Sequence, residues 1–223
     1  LVAGDLGMAC INMGCVNAGP DAFAGDETVR AALARADIAV IEAMGAHNLS
    51  NRFYRVHPRR NDRFIAAEPA LMELFPEIDF TEFSFTRHML GALEKTDRAR
   101  FAQVVDALRE AWVEKMRALL AEARRALLLW VGDTPPPACA RSVLTGQDPL
   151  LVDQVMVEQV ARAAVGTVEV IPSAAARHAG TAGMVFSDLE GAAAAHVAGP
   201  AIHAEIADAL ASAIPAALDE NAA

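Results

Sequence analysis

The sequence predicts a three-layer α/β fold, in which helices cover both faces of a parallel β-sheet. Along the 223 residues, short apolar runs typical of buried strands alternate with longer segments of helical periodicity. Parallel strands need long crossover connections, and the intervening helices provide them on both faces of the sheet. The length, together with 54% hydrophobic and 22% charged residues, suits one domain with a substantial core. We therefore expect a single α/β domain over residues 1–223.

Four apolar segments are predicted to be strands, bounded by turn-forming residues. The segments are 10–16, 38–44, 126–131 and 168–171. The polar, arginine-rich segment 47–64 has no clear periodicity, so we expect an ordered loop with short helical turns there. Because parallel sheets bind ligands at the carboxyl ends of their strands, functional residues are expected directly after each strand.

Helices are predicted between the strands. Asp26 is the expected N-cap of a helix that runs to Ala36, and Asp148 the expected N-cap of a helix over 149–164. The longest helix, 97–124, presents apolar side chains to the core at helical spacing. Further helices are predicted over 68–75, over 83–93 and from Pro200 onward.

Charge and composition exclude several classes of protein. The net charge of −10 and the pI of about 5.0 argue against general binding to nucleic acids or anionic membranes. No uninterrupted apolar run reaches the roughly 20 residues of a membrane-spanning helix. Three cysteines, an odd number, disfavour a disulfide framework and favour a cytoplasmic protein. Neither metal-ligand spacing nor a dinucleotide fingerprint is present, so no cofactor is expected.

An arginine-rich segment stands out in this acidic chain. Five arginines and one aspartate between positions 51 and 63 give a formal charge of +4, so the rest of the chain carries about −14. Guanidinium groups bind carboxylate, phosphate or sulfate bidentately, and an aromatic ring can stack on a sugar or base. The candidate ligand-binding residues are Arg52, Tyr54, Arg55, His57, Arg59 and Arg60. The alternative is a structural hub, in which these arginines pair with acidic side chains of the same chain.

Three other positions carry groups suited to catalysis. The backbone amide of Gly14 and the side-chain amide of Asn48 can each donate to an oxyanion, although a plain turn and a helix cap are the respective alternatives. His196 precedes the last helix, where an imidazole can act as a general base; a surface or capping role is the alternative. His203 lies about 10 Å further along that helix, too far for a shared metal.

Taken in order, these blocks resemble the motifs of the SGNH (GDSL-type) hydrolase superfamily. Gly14 corresponds to the glycine after the second strand of that family, and Asn48, in Gly-x-x-Asn, to the asparagine after the third. His196 with Gly199 corresponds to the histidine block ahead of the last helix. The resemblance implies a flavodoxin-like fold and a Ser nucleophile after the first strand.

The sequence departs from that family at two places. No serine matches the nucleophile, and since the chain begins at Leu1, we expect the first strand and the nucleophile loop to lie upstream of it. Ala193 stands where the family has its acid, so Asp188 or Glu190 would have to orient His196. The runs 12–19, 45–63 and 79–88 also resemble an uncharacterised bacterial domain family of unknown function, over nearly the whole chain.

Two functions follow from these motifs. The first is hydrolysis or transfer of an acyl ester on a small or carbohydrate-linked anionic substrate. An upstream hydroxyl would attack, His196 would accept its proton, and Gly14 and Asn48 would hold the oxyanion. The alternative is a non-catalytic domain that binds an anion or a sugar phosphate through the arginine-rich segment. Both predict a small anionic or saccharide ligand as the partner.

Overall fold

Three parallel strands form the central sheet in the computed structural model, which describes residues 1–219. The strands are β1 (Ala39–Glu42), β4 (Ala126–Val131) and β5 (Gly166–Val170), in the order β1-β4-β5. In the central strand β4, every residue from 126 to 130 is buried, because strands flank it on both edges and helices cover both faces of the sheet. The α/β class and the bounds predicted for this strand are confirmed.

A two-stranded antiparallel hairpin forms a second, smaller sheet. Its strands are β2 (Tyr54–His57) and β3 (Arg60–Ala67). The prediction of a loop over 47–64 was therefore wrong. Along β2, residues 54 and 56 are buried and residues 55 and 57 are exposed, which is the two-residue period of a half-buried strand. The strand has only four residues, too few for that period to stand out in the sequence.

Helices connect and cover the strands in the described part of the chain. They are α1 (Val2–Leu6), α2 (Pro20–Ala24), α3 (Glu27–Arg35), α4 (Pro69–Leu74), α5 (Thr86–Thr96), α6 (Arg98–Ala121), α7 (Gln154–Ala161), α8 (Ala174–Ala179), α9 (Gly191–Ala194) and α10 (Pro200–Asp219).

One predicted N-cap is confirmed and another is not. The Asp26 carboxylate accepts hydrogen bonds from two backbone N–H groups at the start of α3, as predicted. α7 begins later than predicted, and Asp153 rather than Asp148 caps it. The segment before α7 instead packs against the loop after β1, where the Leu150 carbonyl accepts a 2.8 Å hydrogen bond from the Ala46 N–H. Contacts with the loop after β1 therefore hold residues 149–153 in a non-helical conformation, where the sequence predicts the first turns of the helix.

Helices pack on both faces of the parallel sheet. On one face, Ile41, Leu128 and Trp130 share an apolar core with the buried stripe of α6. On the other face, alternate residues of β4 and β5 pack against Leu210 and Ile214 of α10. Each fully buried aliphatic side chain of this kind contributes roughly 1.5–3 kcal/mol to the free energy of unfolding.

α10 also has the length and composition of a membrane-spanning helix. Its most apolar window has a mean hydropathy of 1.3, which a single helix in the core of a soluble protein can also reach, so the finding is weak evidence for a membrane span. In this fold Leu210, Ile214 and Ala217 are buried against the sheet.

The strand predicted over 10–16 is not formed. Residues 8–15 have no regular secondary structure, and the side chains of Ile11 and Val16 are 76% and 69% exposed. A strand requires a partner strand, whereas the hydrogen bonds of this segment are local, such as the one from the Ala18 N–H to the Cys15 carbonyl. The apolar composition of the segment was therefore not enough to predict a strand.

Candidate functional site

The hairpin displays the arginine-rich segment on the surface. Because side chains alternate along a strand, Arg55 and His57 point outward from β2 while Tyr54 points into the core. His57 and Arg60 are directly opposite one another in the two strands, so their side chains share the outer face. Pro58 and Arg59 form the two-residue turn between them. We call the exposed residues Arg52, Arg55, His57, Arg59 and Arg60 the hairpin cluster.

Few acidic side chains neutralise the hairpin cluster. Arg55 forms an ion pair with Glu68, with 2.8 Å between Nε and Oε1. The guanidinium of Arg52 lies over the ring of Phe53, 4.9 Å from its centroid. Within residues 1–219, Arg52, Arg59 and Arg60 form no ion pair. The alternative of a structural hub therefore describes Arg55 but not these three arginines.

Tyr54 is part of the core rather than of the exposed cluster. Its ring is fully buried and its hydroxyl donates a 2.6 Å hydrogen bond to the His47 carbonyl. Burial raises the pKa of this phenol above its ordinary value. The side chain anchors the hairpin to the loop after β1, so its ring is not at the surface where a ligand would stack on it.

Asn61, which sequence reasoning did not single out, holds the hairpin turn in place. Its side chain is fully buried, and its Nδ2 donates to the carbonyls of His57 and Pro58 at 2.9 and 3.4 Å. Its Oδ1 accepts from the N–H groups of Gly19 and Ala22 at 2.8 and 3.0 Å. The one available signal is that asparagine is unfavourable within a strand and therefore needs a specific reason to be there.

The two predicted oxyanion donors both have partners inside the protein. Asn48 is 5% exposed; its Nδ2 donates to the Asn17 carbonyl at 3.2 Å, and its Oδ1 accepts from Thr86 Oγ1 at 2.8 Å. The Gly14 N–H donates to Asn12 Oδ1 at 2.9 Å, in an exposed segment. These contacts occupy the groups that the hydrolase resemblance assigns to an oxyanion.

His196 lies on the surface between α9 and α10. Its backbone N–H donates to the Ala193 carbonyl at 3.1 Å, and its side chain forms no hydrogen bond within residues 1–219. Glu190, one of the two carboxylates expected to orient it, instead accepts hydrogen bonds from the backbone N–H and the hydroxyl of Ser187. The structure records no hydrogen bond that joins His196 to Gly14 or Asn48.

His47, next to Asn48, is a further titratable group at the end of β1. Desolvation lowers the pKa of its imidazole to about 4, while the nearby Asp148 raises it and Arg87 lowers it. Its buried Nδ1 has no hydrogen-bond partner in the described chain. The ring is therefore neutral at pH 7. Among residues 1–219, no group of three or more His, Cys, Asp or Glu side chains is arranged to hold a metal ion.

The fold and this site define an α/β protein with a small parallel sheet and a basic surface hairpin. The chain belongs to the family described as "Domain of unknown function (DUF6473)", whose model matches residues 1–218. The resemblance to an uncharacterised domain family is thus confirmed. Neither a curated protein nor a solved structure matches the chain.

Proposed function

We propose that this domain binds a small anionic ligand through the hairpin cluster. The observation that carries the proposal is that Arg52, Arg59 and Arg60 are exposed and lack ion-pair partners within residues 1–219. Arginine forks bind carboxylate, phosphate and sulfate groups with two parallel hydrogen bonds. The ligand class is a small phosphorylated, sulfated or carboxylated molecule, including acidic saccharides.

The electrostatics of the chain support a local site rather than a general affinity for polyanions. With a net charge of −10, the protein repels an anion at long range, whereas the hairpin attracts it at short range. Exposed ion pairs are screened by salt, over a Debye length of about 10 Å at 0.1 M. Binding should therefore weaken as the ionic strength rises.

Calorimetric titration with sulfate, phosphate and galacturonate tests the proposal. We expect saturable binding of at least one of these anions by the unsubstituted chain. In the double variant Arg59→Ala/Arg60→Ala, the Kd should rise about tenfold or more, since a tenfold change corresponds to about 1.4 kcal/mol. The matched control is Arg35→Ala/Arg98→Ala, which removes the same charge from two exposed helix positions away from the hairpin. Equal losses of affinity in both variants would contradict a hairpin site.

The prediction of an SGNH-like three-layer hydrolase has less support than the proposal of anion binding. Asn48 and the Gly14 amide already have intramolecular partners, and His196 is exposed with no side-chain hydrogen bond within residues 1–219. An ester-hydrolysis screen that compares His196→Ala with the unsubstituted protein tests this prediction. Equal rates would exclude His196 from the reaction.

A further inference from the structure

The turn of the hairpin brings three anion-binding side chains together. His57 and Arg60 are opposite one another across the two strands, and Arg59 lies in the turn between them. The Cβ atoms of directly opposed residues are about 5 Å apart in antiparallel strands. All three side chains are exposed, so their donor groups can converge on one ligand at the end of the hairpin.

The ring of His57 has a fixed tautomer in its neutral form. The backbone N–H of Arg59 donates to His57 Nδ1 at 3.2 Å. Because Nδ1 accepts this hydrogen bond, the neutral imidazole carries its proton on Nε2. The exposed Nε2–H is therefore a hydrogen-bond donor, and it adds to the donors of the two guanidinium groups.

Two features restrain the backbone of the turn that carries these donors. Pro58 restricts its own φ to about −65°. Asn61 forms four hydrogen bonds from a fully buried position, two to the carbonyls of the turn and two from the backbone at the start of α2. A preorganised site loses less conformational entropy on binding and therefore binds more tightly.

Two acidic side chains near the hairpin, Asp26 and Glu68, are held by other partners, whereas Asp62, two residues after Arg60, forms no ion pair within residues 1–219. The pKa of the Asp26 carboxyl is lowered mainly by hydrogen bonds from the backbone N–H groups of Thr28 and Val29. The charge of Arg59 lowers this pKa further, as a smaller cause. Those two hydrogen bonds, at 2.8 and 3.3 Å, hold the Asp26 carboxylate at the N-cap of α3. Glu68 pairs with Arg55, not with the turn.

We propose that His57, Arg59 and Arg60 form a subsite for a tetrahedral dianion, namely the phosphate of a phosphate monoester, with Asn61 as a positioning residue. This inference rests on the anion binding proposed above. A planar carboxylate offers two oxygens, which one guanidinium fork satisfies. A phosphate monoester offers three terminal oxygens and close to two negative charges at neutral pH, which match two guanidinium forks and one Nε2–H.

Calorimetry with phenyl phosphate, inorganic phosphate and acetate tests the subsite on the full chain. We expect phenyl phosphate and inorganic phosphate to bind, and acetate to bind at least tenfold more weakly. His57→Ala and Arg60→Ala should each raise the Kd for phenyl phosphate about fivefold to tenfold, while Arg35→Ala leaves it within twofold. Acetate binding as tight as phosphate binding would overturn the inference.

The same titrations separate this inference from the broader one. If Arg52→Ala and Arg55→Ala weaken phosphate binding while His57→Ala and Arg60→Ala do not, the subsite is wrong and the hairpin still binds anions. If none of these anions binds, and neither sulfate nor galacturonate binds, both proposals fail.

The positioning role of Asn61 is tested with Asn61→Ala. Alanine adds no charge near the subsite, but it removes both the acceptor for the Gly19 and Ala22 N–H groups and the donor to the His57 and Pro58 carbonyls. We expect a fivefold or larger rise in the phosphate Kd and faster hydrogen exchange at the Arg59 N–H. Ser142→Ala, which removes a part-buried hydrogen bond to Glu94 outside the hairpin, is the matched control for lost stability. An equal loss of affinity in the control, or an unchanged Kd in Asn61→Ala, would overturn the positioning role.

Discussion

Thr86 Oγ1 donates a 2.8 Å hydrogen bond to Asn48 Oδ1, and both residues are almost completely buried. Asn48 follows β1 and Thr86 begins α5, so the bond joins the end of the sheet to the start of a helix. Asn48 Nδ2 extends the connection to the carbonyl of Asn17. The Asn48 side chain thus connects its own loop to Asn17 and to Thr86, which are distant in sequence.

Asn48→Ala should destabilise the fold. The substitution leaves the Thr86 hydroxyl with only its longer contact, 3.3 Å to the Asp62 carbonyl, and removes the donor to the Asn17 carbonyl. Lost buried hydrogen bonds of this kind cost about 1–3 kcal/mol. Urea denaturation monitored by circular dichroism measures the change. A double-mutant cycle with Thr86→Val separates the bond from packing. An Asn48→Ala variant as stable as the original would show that this contact contributes nothing to the fold.

The sequence predicted the elements whose signals are local. The apolar run of β4 and the helical stripe of α6 depend on neighbouring residues, and both were found close to the predicted positions. The segment 10–16 has an equally apolar run, but a strand also needs a paired edge, which no local pattern reveals.

The candidate site shows the same division between local and distant signals. The excess of arginines was evident from composition, and the structure places them at the surface. The roles of Asn48 and Asn61 depend on partners such as Asn17 and Gly19, 31 and 42 positions away. Periodicity carries no information about such contacts, so the sequence suggested an oxyanion donor where the structure has a buried connection.

Glu94→Gln should destabilise the loop that follows residue 141. The Glu94 side chain is 5% exposed and accepts hydrogen bonds from Ser142 Oγ at 2.6 Å and from the N–H groups of Val143 and Leu144 at 2.8 and 3.2 Å. Both N–H groups donate to Oε2 and the Ser142 hydroxyl donates to Oε1, so glutamine can keep its one oxygen toward the amides but turns an NH₂ group toward Ser142. It also lacks the negative charge that strengthens all three hydrogen bonds. We expect a loss of about 2 kcal/mol in urea denaturation.

Hydrogen exchange provides the local measurement for the Glu94 variant. The amides of Val143 and Leu144 should exchange faster in Glu94→Gln than in the control Glu82→Gln, which changes an exposed carboxylate. Unchanged exchange at both amides would mean that other contacts hold this loop.

Tyr54 should not ionise until the protein unfolds in alkali. It is the one tyrosine of the chain, so tyrosinate absorbance reports on it alone. Burial raises the pKa of its phenol in the folded state. In the unfolded chain the phenol has the pKa of a free tyrosine, about 10. The stability should therefore fall as the pH rises above about 10.

Tyr54→Phe is the matched variant for this alkaline prediction. Without the hydroxyl, the His47 carbonyl loses a 2.6 Å hydrogen bond, and the variant should lose about 1 kcal/mol at neutral pH. The difference in stability between the two proteins should then shrink above about pH 10, because only the original has a phenol to ionise. A difference that stays constant with pH would contradict the raised pKa.

His47 should make the fold less stable in mild acid. Desolvation lowers the pKa of its imidazole to about 4, against about 6.5 in the unfolded chain. As the pH falls, the unfolded chain therefore binds the proton first. The contribution of the neutral ring to stability is complete above about pH 6.5 and is lost between that value and about 4.

Comparison with His47→Gln isolates this contribution, because glutamine does not titrate. The dependence of stability on pH between about 6.5 and 4 should flatten in the variant by on the order of 1–3 kcal/mol, measured by urea denaturation at several pH values. His178→Gln is the control, since His178 is exposed on α8 and its removal should leave the original dependence. The same pH dependence in His47→Gln as in the original would show that the His47 imidazole titrates alike in the folded and unfolded states.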